Sequence, residues 1–154
     1  MTKENIIGHL RAAKTAHIKW VQKAKILISG IEVEKDSIPV NSTECKFGQW
    51  FYGDGQALNA LSNNPPECMI AIEELHTELH SIYMKIFRIY FSKPSGGFFS
   101  KLFGNKNKIT KEEQEKAEEY FENLEEVSKK LLDEINRLER RLLAVPDERI
   151  AELI

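Results

Sequence analysis

The chain is 154 residues long, with 22 basic and 24 acidic side chains and a net charge of -2; that is the length of one domain, without a global field toward nucleic acid or anionic lipid. No stretch approaches the ~20 apolar residues that span a bilayer, and Met1 to Asn5 do not begin the apolar run of a signal peptide, so the expectation is a cytoplasmic protein with neither nucleic-acid partner nor membrane contact. The only cysteines are Cys45 and Cys68, which argues against a disulfide-stapled fold and leaves packing or metal ligation.

Over 2–31 the apolar positions Ile6, Leu10, Ala13, Trp20, Ala24, Leu27 and Ile31 step by four and three, and His17 fills the vacant step between Ala13 and Trp20. This predicts a bundle helix with a histidine in its seam. Over 42–62, Asn41, Ser42 and Thr43 offer N-cap oxygens ahead of a short helical segment carrying Cys45, Phe47, Trp50, Phe51 and Tyr52. Gly48 and the turn Gly53-Asp54-Gly55 keep that segment short. Asn63-Asn64-Pro65-Pro66-Glu67 reads as the start of a third helix over 64–92, with a capping amide, prolines whose missing N–H does no harm, and an early acid. Its stripe runs through Met69, Ile72, His76, Leu79, Tyr83, Ile86 and Tyr90, and His80 widens the same face.

The stretch 93–109 reads as a loop holding Gly96, Gly97 and Gly104 with Phe98, Phe99, Leu102 and Phe103 among lysines. Thr110, with Glu113 at the capping-box position, opens a long charged helix over 110–144. Ala117, Tyr120, Leu124, Val127, Leu131, Ile135, Leu138 and Leu142 form its stripe, Arg137, Arg140 and Arg141 suit the dipole at its end, and Pro146 breaks or restarts the chain. The fold class expected is all-α: an antiparallel four-helix bundle with an additional short helix carrying the segment from Cys45 to Trp50.

The chemistry gathers on His17, Cys45, His76 and His80. Residues four apart on a helix have Cβ atoms ~5–6 Å apart, so His76 and His80 can reach one ion. A buried neutral imidazole needs a partner at each nitrogen, and three such burials in one small core are costly unless something collects them. Three imidazoles and a thiolate favour zinc over harder ions that prefer oxygen. A shell of four protein ligands leaves no position for an activated water, so the site is expected not to be catalytic. Thr77 stands where the zinc-protease pattern H-E-x-x-H requires glutamate, and a di-iron bundle would want more histidines plus bridging carboxylates. Trp20 and Trp50 are expected to pack near the metal, His9 to lie at an edge off the stripe, and Cys68 to be structural.

His17-Ile18-Lys19-Trp20 followed by Cys45-Lys46-Phe47-Gly48-Gln49-Trp50 resembles the chemoreceptor zinc-binding (CZB) domain, with Cys-x-Phe-Gly-x-Trp as the specific part. The resemblance covers roughly Ile6 to Phe91. It implies a three-histidine, one-cysteine zinc site in a four-helix bundle, at His17, Cys45, His76 and His80. It further implies a homodimer that signals through zinc occupancy or through oxidation of the zinc-bound thiolate. Family members usually accompany a chemoreceptor signalling domain or a cyclic-dinucleotide cyclase, and neither is in this sequence, so the signalling protein is expected to act in trans. The rival expectation is an interaction module in which the long helix over 110–144 pairs with a protein partner and zinc only staples the fold.

Overall fold

A computed structural model describes residues 1–31, 41–62, 65–91 and 109–153. Asn63, Asn64 and nearly all of the 93–109 loop lie outside the described residues.

Helix α1, Lys3–Ile28, opens on Thr2, whose hydroxyl accepts from the Asn5 N–H at 3.2 Å. It stops three residues short of the expected end, because the Ser29 N–H closes the last turn and Gly30 turns the chain out at φ +87°. That left-handed conformation favours glycine and ends many helices. Ile31 is consequently 60% exposed and is not part of the core stripe.

Helix α2, Lys46–Tyr52, is capped by the sulfur of Cys45 and not by the oxygens of Asn41, Ser42 or Thr43. Gly53 passes the chain into a 3-10 helix, Asp54–Ala60. Helix α3 spans Pro65–Phe91, and helix α4 spans Lys111–Leu143 behind its Thr110 cap, whose hydroxyl accepts from the Glu113 N–H at 3.1 Å. Pro146 restarts the chain as a one-turn helix α5, Asp147–Ala151.

Named contacts fix the directions. At the start of α4 the Gln114 amide donates to the Ile28 carbonyl at 2.9 Å and accepts from the Tyr90 hydroxyl at 3.1 Å. Near its end Glu139 meets Arg11 and Lys14, and Arg137 meets Glu67. Thus α4 runs antiparallel to both α1 and α3. Those two are parallel, since His17 faces His76 and Trp20 faces Tyr83. Cys45 lies beside His76 while Trp50 stacks on His9, so α2 descends against α1, and the 3-10 helix continues toward the beginning of α3. The order is up, down, up, down, with α2 and the 3-10 helix together forming the second arm.

The all-α bundle expected from the periodicity is the fold observed, with no strand among the described residues. The stripe of α4 is used inside the chain: Leu124, Leu131, Ile135, Leu138 and Leu142 are fully buried against α1 and α3. At one step Phe121, and not Tyr120, is the buried residue. Tyr120 sits at the edge beneath the ammonium groups of Lys85 and Lys116, 5.5 and 5.2 Å from its ring centroid. Among the described residues Glu139 is the buried carboxylate, and it is paired: Arg11 Nε donates to Oε1 at 2.8 Å and Lys14 Nζ to Oε2 at 2.6 Å.

Candidate metal centre

The three long helices form a frame, and the candidate ligands enter it from three separate segments. His17 lies in the seam of α1, where its Nδ1 is 2.7 Å from the carbonyl of Ala13, one turn earlier. A carbonyl can only accept, so Nδ1 carries the hydrogen and Nε2 presents a lone pair; a backbone acceptor of this kind commonly fixes the tautomer of a metal-binding histidine. His76 and His80 stand one turn apart on α3, with 3.1 Å between their Nε2 atoms. Cys45 arrives from outside the frame as the cap of α2. Its Sγ accepts from the Gly48 N–H at 3.1 Å, and the thiol donates to the Ser42 carbonyl at 3.3 Å.

The His76 Nε2 is the hub, 3.3 Å from Cys45 Sγ as well as 3.1 Å from His80 Nε2. One hydrogen at that nitrogen can serve only one of these contacts, whereas a central cation satisfies both. All four donor atoms lie within 4.8 Å of one another. A tetrahedral zinc shell built from bonds of ~2.0–2.3 Å has edges of roughly 3.3–3.6 Å, so the cluster has the right scale for one ion. The donor set also suits zinc chemically, because neutral imidazole and thiolate are its preferred ligands. The structure brings together all four of the residues singled out in the sequence.

Burial sets the protonation states. It pushes His76 down to about 3, helped by the neighbouring charges of His80 and His17. It also lowers His17, outweighing the bond to Ala13, which acts the other way. The imidazoles of His17 and His76 are therefore neutral at physiological pH and ready to coordinate. Burial raises the Cys45 thiol above its ordinary value, against the opposing pull of the Gly48 N–H. With a divalent ion held by the four donors, that preference would reverse in favour of the Cys45 thiolate, with release of a proton.

Aromatic rings close the site. Phe47 stands edge-on to His17 and His76, with centroids 5.6 and 5.1 Å away. Trp20 packs on His80 and stacks on Tyr83 at 4.5 Å. The Trp20 Nε1 has no hydrogen-bond partner among the described residues, so this indole acts by packing and by excluding water. Trp50 is buried too, but against exposed His9, with centroids 4.9 Å apart and planes within 11°. Neither His9 nor Cys68 joins the cluster. Cys68 is wholly buried, and its thiol is raised by that burial.

Sequence reasoning missed two supports, the Ala13 carbonyl and the capping role of Cys45. The second had a signal, since Cys45 and Gly48 have the N-cap to N3 spacing. Oxygen side chains dominate that position, and this turned attention to Asn41, Ser42 and Thr43.

Residues 17–87 match the family model described as the chemoreceptor zinc-binding domain. No curated protein and no solved structure matches the chain. The matched stretch begins at His17 and runs past His80, taking in all four residues of the cluster of three imidazoles and one thiol, and over that stretch the chain is similar to the chemoreceptor zinc-binding domain.

Proposed function

We propose that the domain binds one zinc ion through His17, Cys45, His76 and His80 and that occupancy of this site is a regulatory signal. The observation that carries the reading is the convergence of four donor atoms, from α1, the cap of α2 and α3, within 4.8 Å in an aromatic-walled core. Bound zinc supplies a fixed divalent charge that stabilises the thiolate. The chain does the rest: Ala13 orients His17, Phe47 and Trp20 keep water away, and α1 and α3 hold three imidazoles in register.

Occupancy can be read because the fourth ligand stands apart. The α1–α4–α3 frame is tied by the Glu139 ion pairs as well as by the core that it shares with Phe47, Trp50, Phe51 and Leu58, whereas Cys45 stands half-buried at the head of the short arm. Loss of the ion unpins the capping turn at Cys45 while the frame and the buried Trp50, Phe51 and Leu58 stay packed, and a ligand state coupled to such a local movement is what a partner or a second copy can sense. The half-buried Cys45 is also the reactive member of the set. Oxidation of its thiolate by hypochlorous acid or peroxide would release the metal, a second input to the same switch. The reading includes a homodimer and a signalling partner in trans, a chemoreceptor or a cyclic-dinucleotide enzyme. The fully occupied shell supports regulation over catalysis. The rival, an interaction module with purely structural zinc, loses one support, because the apolar stripe of α4 is already buried within the chain.

Metal analysis of the purified protein tests the assignment: one zinc per chain is expected, with loss of tight binding in Cys45→Ala. Unchanged zinc in that variant overturns it. Chelator competition then separates switch from staple, since an affinity near the free cytosolic zinc level permits exchange and a far tighter one does not. Light scattering with and without zinc tests the homodimer.

A further inference from the structure

The turn that delivers Cys45 crosses the first turn of α2 at Gly48, and the crossing is closer than any side chain permits. A Cβ placed on Gly48 would lie 1.7 Å from the carbonyl oxygen of Ser42 and 2.8 Å from its carbonyl carbon. Both are backbone atoms, so no rotamer change relieves the clash. Glycine is required here for space and not for an unusual φ, since positive φ among the glycines occurs at Gly30 alone of the described residues. The same three residues are joined by the sulfur: the Gly48 N–H donates to Cys45 Sγ at 3.1 Å, and the thiol reaches the Ser42 carbonyl at 3.3 Å. Ser42, Cys45 and Gly48 thus close a small triangle on the helix terminus, and its outer corner is the sulfur that meets His76 at 3.3 Å.

We propose that Gly48 is a positioning residue for the metal-binding thiol, its bare Cα letting the Ser42 carbonyl lie across α2 so that Cys45 Sγ is aimed at the three imidazoles. The inference rests on the zinc reading of Cys45. A methyl at position 48 forces the carbonyl back by roughly 2 Å to reach an ordinary non-bonded contact. The sulfur three residues along moves with it, while metal–ligand distances tolerate only about 0.2 Å. His17, His76 and His80 stand on α1 and α3 and keep their places, so the defect is confined to the fourth ligand.

The test compares the wild type with Gly48→Ala, Cys45→Ala and, as a control glycine with nothing within 4 Å of an added Cβ, Gly8→Ala. Cobalt(II) is the metal probe, because its sulfur-to-metal charge-transfer absorption reports thiolate ligation separately from imidazole ligation. The expected result is that Gly48→Ala loses that band as Cys45→Ala does and binds about 10- to 100-fold more weakly, while Gly8→Ala behaves as wild type. In metal-free protein, an aromatic disulfide reagent should modify Cys45 several-fold faster in Gly48→Ala at unchanged helical circular dichroism, with buried Cys68 silent. A wild-type cobalt spectrum and affinity in Gly48→Ala overturn the proposal. So does loss of helical signal in Gly48→Ala when Cys45→Ala remains folded, which would make Gly48 a folding residue. If the wild type itself binds no cobalt or zinc, the zinc reading fails, and the metal-free thiol rates still decide whether Gly48 holds the sulfur.

Discussion

The indole of Trp20 packs on the imidazole of His80, with 4.2 Å between ring centroids and 51° between the ring planes. An imidazole that takes on a divalent ion changes the field on an indole in contact with it. Trp20 emission is therefore expected to report zinc. In Trp50→Phe, zinc should change the fluorescence and a chelator should reverse the change; in Trp20→Phe, where the remaining indole stacks on His9, the response should be small. An undiminished response in Trp20→Phe would contradict a metal centre beside His80.

Acid should destabilise the metal-free protein over a defined window. His76 is held at about 3 in the folded chain against an ordinary value of 6.5. The unfolded chain takes up this proton as pH falls through 6.5, whereas the folded chain resists until about 3, so stability is complete above the window and is lost progressively downward through it. The slope from this group alone approaches about 1.4 kcal/mol per pH unit. His17, lowered for the same reason, adds in the same direction. Urea melts of metal-free protein at several pH values measure it, and a midpoint flat across the window would rule out buried neutral imidazoles.

Glu139 ties α1 to α4 through Arg11 and Lys14, and α4 supplies none of the four candidate donors. Glu139→Ala should cost about 1–3 kcal/mol, discounted from a fully buried pair because Arg11 can turn to solvent. Each kcal/mol lowers the melting temperature by about 2–4 °C at this size. Zinc stoichiometry should not change. Loss of zinc in a folded Glu139→Ala protein would show that the frame and the site are not separable.

Two glycines in or beside α1 should respond oppositely to alanine. Gly8 sits within the helix with open space around its Cα, and Gly8→Ala should stabilise by up to about 1 kcal/mol. Gly30 holds φ +87°, and Gly30→Ala should destabilise by about 1–2 kcal/mol. Thermal melts of the pair test where α1 ends; equal shifts of the same sign would contradict a left-handed terminus at Gly30.

Much of the frame was legible in the sequence because helix periodicity is local. Ile6 to Leu27, Met69 to Ile86 and Leu124 to Leu142 each announce a buried stripe without reference to another segment. The errors fell where neighbours decide. Ile31 continues the spacing but lies past the turn at Gly30, and Tyr120 and Phe121 are consecutive, about 100° apart around the helix, so only packing against α1 and α3 chooses which of them is buried. The cap of α2 was misread because propensity ranks oxygen above sulfur, whereas here the sulfur is held to the helix terminus by the approach of Ser42 to Gly48.

The sequence by itself determined the helices and nominated the three seam histidines and the cysteine, since residue type and a spacing of three or four follow from 3.6 residues per turn. Tertiary structure alone decided that a thiol from a capping turn meets imidazoles from two parallel helices, that Ala13 orients one of them, and that position 48 must be bare. Distances between segments far apart in the chain are set by how the cores pack, and packing has no local period to read.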